Sequence, residues 1–199
     1  HGQQVLSCFQ GYYDTYCYLP LLGFAKCDGV KQKELIAAVL RPGNVHSGHK
    51  TVVILRRIVE RLKKAFPDVR IIFRGDCGFA LPEIYDWCEE NGVYYLIGLP
   101  RNSRLLAISR LYRLGALTQY ALTRIKVRNF GEIRYAAGSW KHKRRVIVKA
   151  EVISKGENPR FVVTNLPGGD AKKLYKFYVR RGNSENRIKE LKLDLKADR

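Results

Sequence analysis

The chain has 199 residues, of which 46% are hydrophobic and 11% aromatic, enough apolar material for a buried core and the wrong composition for a disordered protein. No apolar run reaches the roughly 20 residues needed to cross a bilayer and no signal peptide opens the sequence, so a soluble, intracellular protein with no membrane partner is expected. The 37 Lys and Arg against 18 Asp and Glu leave +19 spread along the chain, which points to a polyanionic partner such as nucleic acid, a property shared with ribosomal proteins and with enzymes of acidic substrates.

In chain order, Gly11 to Pro20 (G-Y-Y-D-T-Y-C-Y-L-P) is dense in aromatics and predicts a strand. Lys33 to Leu40 suits a strand or a short helix, stopped by the turn Arg-Pro-Gly-Asn at 41–44. From Val52 to Phe66 the apolar positions recur at intervals of three and four, with Arg56, Arg57, Arg61, Lys63 and Lys64 between them, which predicts an amphipathic helix ending before Pro67. Val69 to Phe73 reads as a buried strand closed by Gly75, with Asp76 directly after it. Leu81 to Asn91 has helical spacing and stops at Asn91-Gly92, and Val93 to Leu99 reads as another strand. The order strand, strand, helix, strand, helix, strand predicts an α/β sheet layered with helices.

From about Gly115 to Leu166 the texture becomes strand-like between turn signals, and a β-rich insertion is the economical reading. After Pro167-Gly168-Gly169, Asp170 is a good N-cap for a last helix from about Ala171 towards Leu195, broken near Gly182. The expected division is therefore 1–114 for the first part of the core, 115–167 for the insertion and 168–199 for the closing helix.

The five cysteines, Cys8, Cys17, Cys27, Cys77 and Cys88, are odd in number and form no C-x-x-C pair, so neither a disulfide framework nor a zinc ribbon is expected. His46 and His49 form an H-x-x-H without a third ligand nearby.

Chemistry concentrates in two places. Asp76, within R-G-D-C-G-F-A, ends a predicted buried strand, where an unpaired carboxylate is costly unless something uses it; the alternative is a helix cap in a tight turn. Tyr178, Arg181, Glu185 and Lys192 follow Y-x2-R-x3-E-x6-K, a spacing that keeps all four near one helical face and suits a phosphate beside a metal ion. An ordinary solvated face with Glu and Lys pairs would satisfy it too.

The Y-x2-R-x3-E-x6-K arrangement resembles the signature of the DDE transposases of bacterial insertion sequences. R-G-D-C-G-F-A, together with G-Y-Y-D-T-Y-C-Y-L-P-L, L-R-P-G-N-V-H and E-N-R-I-K-E-L-K, resembles the group-1 DDE domain in particular, across nearly the whole chain. The resemblance implies a ribonuclease-H-like mixed sheet with flanking helices and a β-rich insertion, in which three carboxylates hold two Mg2+ (or Mn2+) ions. It maps Asp76 onto the second aspartate and Glu185 onto the final glutamate, both catalytic metal ligands. The first aspartate, expected on a strand before Gly11, does not occur there; Asp14 is the candidate substitute, although it lies at a different place in the motif.

The implied activity is metal-dependent cleavage and strand transfer at the ends of an insertion sequence, cut-and-paste transposition in a bacterial cytoplasm. The partners would be double-stranded DNA, as transposon ends and target, and a second copy of the chain. Tyr178, Arg181 and Lys192 are expected to contact DNA phosphates. In G-S-W-K-H-K-R-R, Trp140 is expected to stack on an extruded base, with Lys141 and Arg144 holding the backbone; the alternative is that Trp140 packs under the sheet. With one of three carboxylates missing, the 199 residues are expected to bind DNA without cutting it. The alternatives are a ribonuclease-H-like nuclease or resolvase and a basic DNA-binding module without catalysis.

Overall fold

The computed structural model describes residues 7–11, 14–46 and 48–182, and the chain divides into two compact units, 1–67 with 181–199 and 68–180.

In the first unit, β1 (Cys8–Gln10) and β2 (Thr15–Cys17) form an antiparallel hairpin, and β3 (Leu21–Ala25) pairs with β4 (Glu34–Val39), with a register shift at Gly23/Phe24. Residues 11–20 are thus no continuous strand. The antiparallel pairing reverses the chain between Gln10 and Thr15, and Asp14, just before β2, takes φ 49°, a left-handed conformation that Asp tolerates better than most residues. Helix α1 (Thr51–Ala65) follows the expected periodicity. It places Arg56, Arg57, Arg61, Lys63 and Lys64 in solvent, and Lys63 and Lys64 face the negative end of the helix dipole.

The second unit is a mixed sheet of six strands. Its main path runs β5 (Ile72–Gly75), β6 (Tyr94–Leu99), β10 (Arg160–Thr164), β8 (Arg144–Ile153) and β7 (Val127–Tyr135), while β9 (Gly156–Glu157) pairs with β8. Only the β5–β6 pair is parallel, joined through α2 (Pro82–Glu90). Residues 115–167 supply most of α4 and then β7 to β10, which are hydrogen-bonded into the same sheet as β5 and β6. Residues 103–123, not expected to be helical, form α3 (Ser103–Ile108), whose start the Asn102 side chain caps by accepting from the Leu105 N–H at 2.9 Å, and α4 (Arg110–Thr123).

Strand alternation sorts the core into two faces. On one, Leu96, Ile147 and Val162 pack under α5 (Ala171–Val179) through Tyr178, Leu174 and Tyr175. On the other, Ala150 and Val152 meet Ala116, Tyr112 and Tyr120 of α4, and Tyr95 stacks on Tyr85 of α2 at 5.4 Å. The β8 strand is covered on both faces, which explains its run of buried Val, Ile and Ala. Among the described residues no helix is long and apolar enough to cross a membrane.

Candidate active site

Asp76 follows the last residue of β5 and begins a 3-10 turn at Cys77–Phe79. Its Oδ1 accepts a hydrogen bond from the Gly78 N–H at 2.8 Å, so the capping alternative holds for this oxygen. The carboxylate remains exposed, and among the described residues it makes no other side-chain hydrogen bond and no ion pair. Gly75, just before it, is buried against Phe79, and a Cβ there would lie 2.9 Å from that ring, so the turn closes only around glycine. The result is a rigid strand end that presents one uncommitted carboxylate oxygen.

Two further ties reach this turn from α5. Arg74 donates from Nη1 to the Phe177 carbonyl at 2.9 Å, and its guanidinium lies over the Phe177 ring, 4.6 Å from the centroid. Burial and the neighbouring Arg180 charge lower the Arg74 pKa, so this guanidinium is held by the carbonyl and the ring against an unfavourable environment. Tyr178 is 8% exposed and belongs to the core cluster, and a Cβ built on Gly98 would lie 2.5 Å from its hydroxyl.

The other residues singled out from the sequence lie in several parts of the chain. Arg181 lies in the short 3-10 turn that follows α5, whereas Glu185 and Lys192 lie outside the described residues. Trp140 is 9% exposed, with its ring edge-on to Tyr85 at 5.1 Å and to Tyr135 at 5.4 Å, the packed alternative rather than an open stacking platform. Arg144, expected on DNA, is turned inward, with its side chain 2% exposed. It donates to Asp86 at 2.5 Å and to both Glu89 oxygens at 2.8 and 2.9 Å. Burial alone would lower the Arg144 pKa, but these carboxylates outweigh it and drive the pKa far up. Lys141 is in solvent and pairs with Asp86 at 3.0 Å. Within the basic run K-H-K-R-R, Lys141, His142 and Lys143 precede β8 and are exposed, whereas Arg144 opens the strand facing inward.

Among the described residues no group of three or more His, Cys, Asp or Glu is placed to hold a metal ion. The Nδ1 of His46 accepts from the Gly48 N–H at 3.1 Å. Asp76 has the chemistry of a hard-cation ligand, an exposed carboxylate with an oxygen to spare, and fits as one member of a larger set.

A mixed sheet flanked by helices, with an acid-bearing turn at the carboxyl end of a parallel strand, defines an α/β protein compatible with the ribonuclease-H-like class. Residues 1–199 match the family described as transposase DDE domain group 1, and the chain belongs to that family. Transposases of this family act on DNA and generally use divalent metal ions. No curated protein matches the chain.

The sequence alone had not singled out Arg74 and Gly98. Both carried a signal: Arg74 is a cation two residues before the carboxylate, and Gly98 interrupts the apolar strand Val93 to Leu99, where a missing side chain marks a close approach.

Proposed function

We propose that this chain is the catalytic core of a cut-and-paste transposase in which Asp76 and Glu185 are metal ligands and DNA strands are cleaved and rejoined at insertion-sequence ends. The observation that carries the proposal is the Asp76 turn, where Gly78 immobilises one carboxylate oxygen and leaves the other exposed at a strand end. The family match supplies the reaction class, and the net charge of +19 supplies the attraction for DNA.

Bound Mg2+ or Mn2+ would offset the negative charge that builds up during in-line displacement at a phosphodiester. Asp76 and Glu185 would hold the cations, with the Gly78 N–H fixing the rotamer of Asp76. In the first step water attacks phosphorus, the bond to the 3′-oxygen breaks, and that oxygen leaves as a 3′-hydroxyl. In the second, this hydroxyl attacks a target phosphodiester, the bond to the target strand's 3′-oxygen breaks, and that oxygen leaves as a hydroxyl, the proton lost by the attacking group balancing the one it takes up. Arg181 and Lys192 are proposed to hold phosphates near the transposon end, Arg181 through its planar fork. Two copies on paired ends is the assembly such a reaction calls for. Trp140 and Arg144 are left out of the DNA-contacting set, because using them would break the cluster with Tyr85, Asp86 and Glu89.

A second reading, a basic DNA-binding module without turnover, draws on the net charge of +19. Cleavage of transposon-end DNA in Mg2+ by the whole encoded protein, beside Asp76→Ala and Glu185→Ala variants, separates the readings. Loss of cutting with DNA binding retained supports the transposase. Cutting that survives both substitutions removes Asp76 and Glu185 from the metal site.

A further inference from the structure

In the hairpin of the first compact unit, Cys8 on β1 stands directly opposite Cys17 on β2, followed in register by Phe9 opposite Tyr16 and Gln10 opposite Thr15. The Phe9 and Tyr16 rings meet edge-on, 5.5 Å between centroids, so side chains as well as backbone carry this register. Strand alternation turns that aromatic pair to one face and puts both thiols on the other. Both cysteines are free and half-buried. Directly opposite residues of an antiparallel pair have Cα atoms about 4.5 or 5.5 Å apart, depending on the hydrogen-bonding position, and both values fall within the roughly 4.4–6.8 Å that a disulfide spans. The 41–44 turn lies against the cysteine end of the hairpin. A Cβ built on Gly43 would lie 2.2 Å from the Cys17 carbonyl oxygen and 2.7 Å from that of Cys8, and Gln10 donates to the Gly43 carbonyl at 2.5 Å. Beyond β2, the Leu19 N–H donates to the Arg41 carbonyl at 2.8 Å, whereas among the described residues β1 pairs with β2 alone, in a two-stranded sheet. Two strands by themselves are marginally stable.

We propose that Cys8 and Cys17 form a reversible disulfide that locks β1 to β2, making this pair a redox-sensitive modification site. The oxidant is a low-molecular-weight disulfide of the glutathione class. One cysteine thiolate attacks it, its S–S bond breaks and one thiol leaves; the second cysteine then attacks the mixed disulfide and releases the other. The two Sγ–H groups give up two electrons and two protons, one Sγ–Sγ bond forms, and the electrons and protons end in the two small thiols released. The remaining cysteines are placed differently. Cys88 is fully buried on α2, and burial pushes its thiol up to about 12, whereas Cys27 and Cys77 are exposed and serve as internal controls. The bridge acts by restricting the unpaired state of the hairpin, so its effect is confined to the strands that it closes. Eight residues separate the two cysteines in the sequence, and only the hairpin register brings them together.

The test equilibrates the protein in graded mixtures of reduced and oxidised glutathione, traps free thiols with iodoacetamide and reads the peptides by mass. Oxidising mixtures are expected to join the peptides carrying Cys8 and Cys17 with the loss of two hydrogens, and dithiothreitol should restore both thiols. Cys27 and Cys77 should enter no internal bridge. Hydrogen exchange of the β1 and β2 amides should slow on the order of tenfold in the oxidised form, because the closed loop limits opening of the hairpin. Cys17→Ser should abolish both the bridge and the slowing. The double variant Cys27→Ser with Cys77→Ser should keep both, which separates the hairpin pair from chance oxidation of exposed thiols. Oxidation that joins other cysteines, that links two copies of the chain, or that leaves Cys8 and Cys17 as open to alkylation as Cys27 would overturn the proposal. So would a bridge that forms without slowing exchange in the hairpin.

Discussion

Arg144 on β8 grips Glu89 on α2 with two prongs, Nε to one carboxylate oxygen at 2.8 Å and Nη2 to the other at 2.9 Å. The same Nη2 reaches Asp86, and the Tyr95 hydroxyl donates to Glu89 at 2.7 Å, so helix and sheet are joined by one nearly buried polar network. Removing one partner of such a pair leaves an uncompensated charge, at a cost of about 3–5 kcal/mol. Arg144→Ala should therefore lower the unfolding free energy by about 3 kcal/mol in urea titrations. Lys141→Ala, which removes a solvent-exposed pair to the same Asp86, should cost less than about 1 kcal/mol. Comparable losses from the two would contradict the inward placement of Arg144.

Glu151 predicts a pH effect. Its side chain is 5% exposed, and burial alone would raise its pKa, but hydrogen bonds from Lys149, Arg128 and Lys126 outweigh this and hold it at about 2. A depressed carboxylate contributes stability that is complete above its unfolded pKa and is lost as pH falls towards the folded one. Wild-type stability should therefore decline between pH 4.5 and about 2, and Glu151→Gln should flatten that decline while lowering stability at neutral pH. An unchanged acid limb in Glu151→Gln would place the titrating group elsewhere.

Trp140 separates packing from base stacking in a single residue. Enclosed by Tyr85 and Tyr135, with the Arg144 guanidinium 5.4 Å from its ring, it should cost about 3–5 kcal/mol of stability when cut to alanine. Trp140→Phe keeps most of the packing and should leave DNA affinity unchanged, whereas loss of a stacked base would weaken binding by about 1–3 kcal/mol.

What could be read in the sequence follows from what each pattern encodes. The three-and-four spacing in 52–66 and 81–91 specifies which face of a helix is buried, and α1 and α2 follow it within a residue or two. The aromatics of 11–20 have the right side chains for strands, but the reversal between Gln10 and Thr15 depends on backbone conformation, which side-chain type indicates only weakly. Helix α4 was hidden for a related reason. Thr123 to Arg128 is rich in β-branched residues, yet the run from Arg110 to Thr123 is helical and packs Ala116 against the sheet, a tertiary choice. At the candidate site, Asp76 was legible because a charge at a strand end is conspicuous. The tie behind it, from Arg74 to the Phe177 carbonyl, joins residues 103 positions apart and has no local pattern.

DNA binding should follow electrolyte theory. With +19 spread over the chain, affinity for double-stranded DNA should fall on the order of a thousandfold between about 50 and 200 mM salt. Arg181→Ala should reduce the slope of log affinity against log salt by about one, and a slope near zero would remove phosphate contact as the basis of binding.

The most direct test of the central claim, that Asp76 and Glu185 hold the metal, is to load the protein with Fe2+, add ascorbate and peroxide, and map where the backbone is cut. The account predicts cuts close to residues 76 and 185 that Mg2+ suppresses and Asp76→Asn abolishes near 76. Cuts confined to other positions such as His46 and His49, or a pattern indifferent to Asp76→Asn, would contradict it.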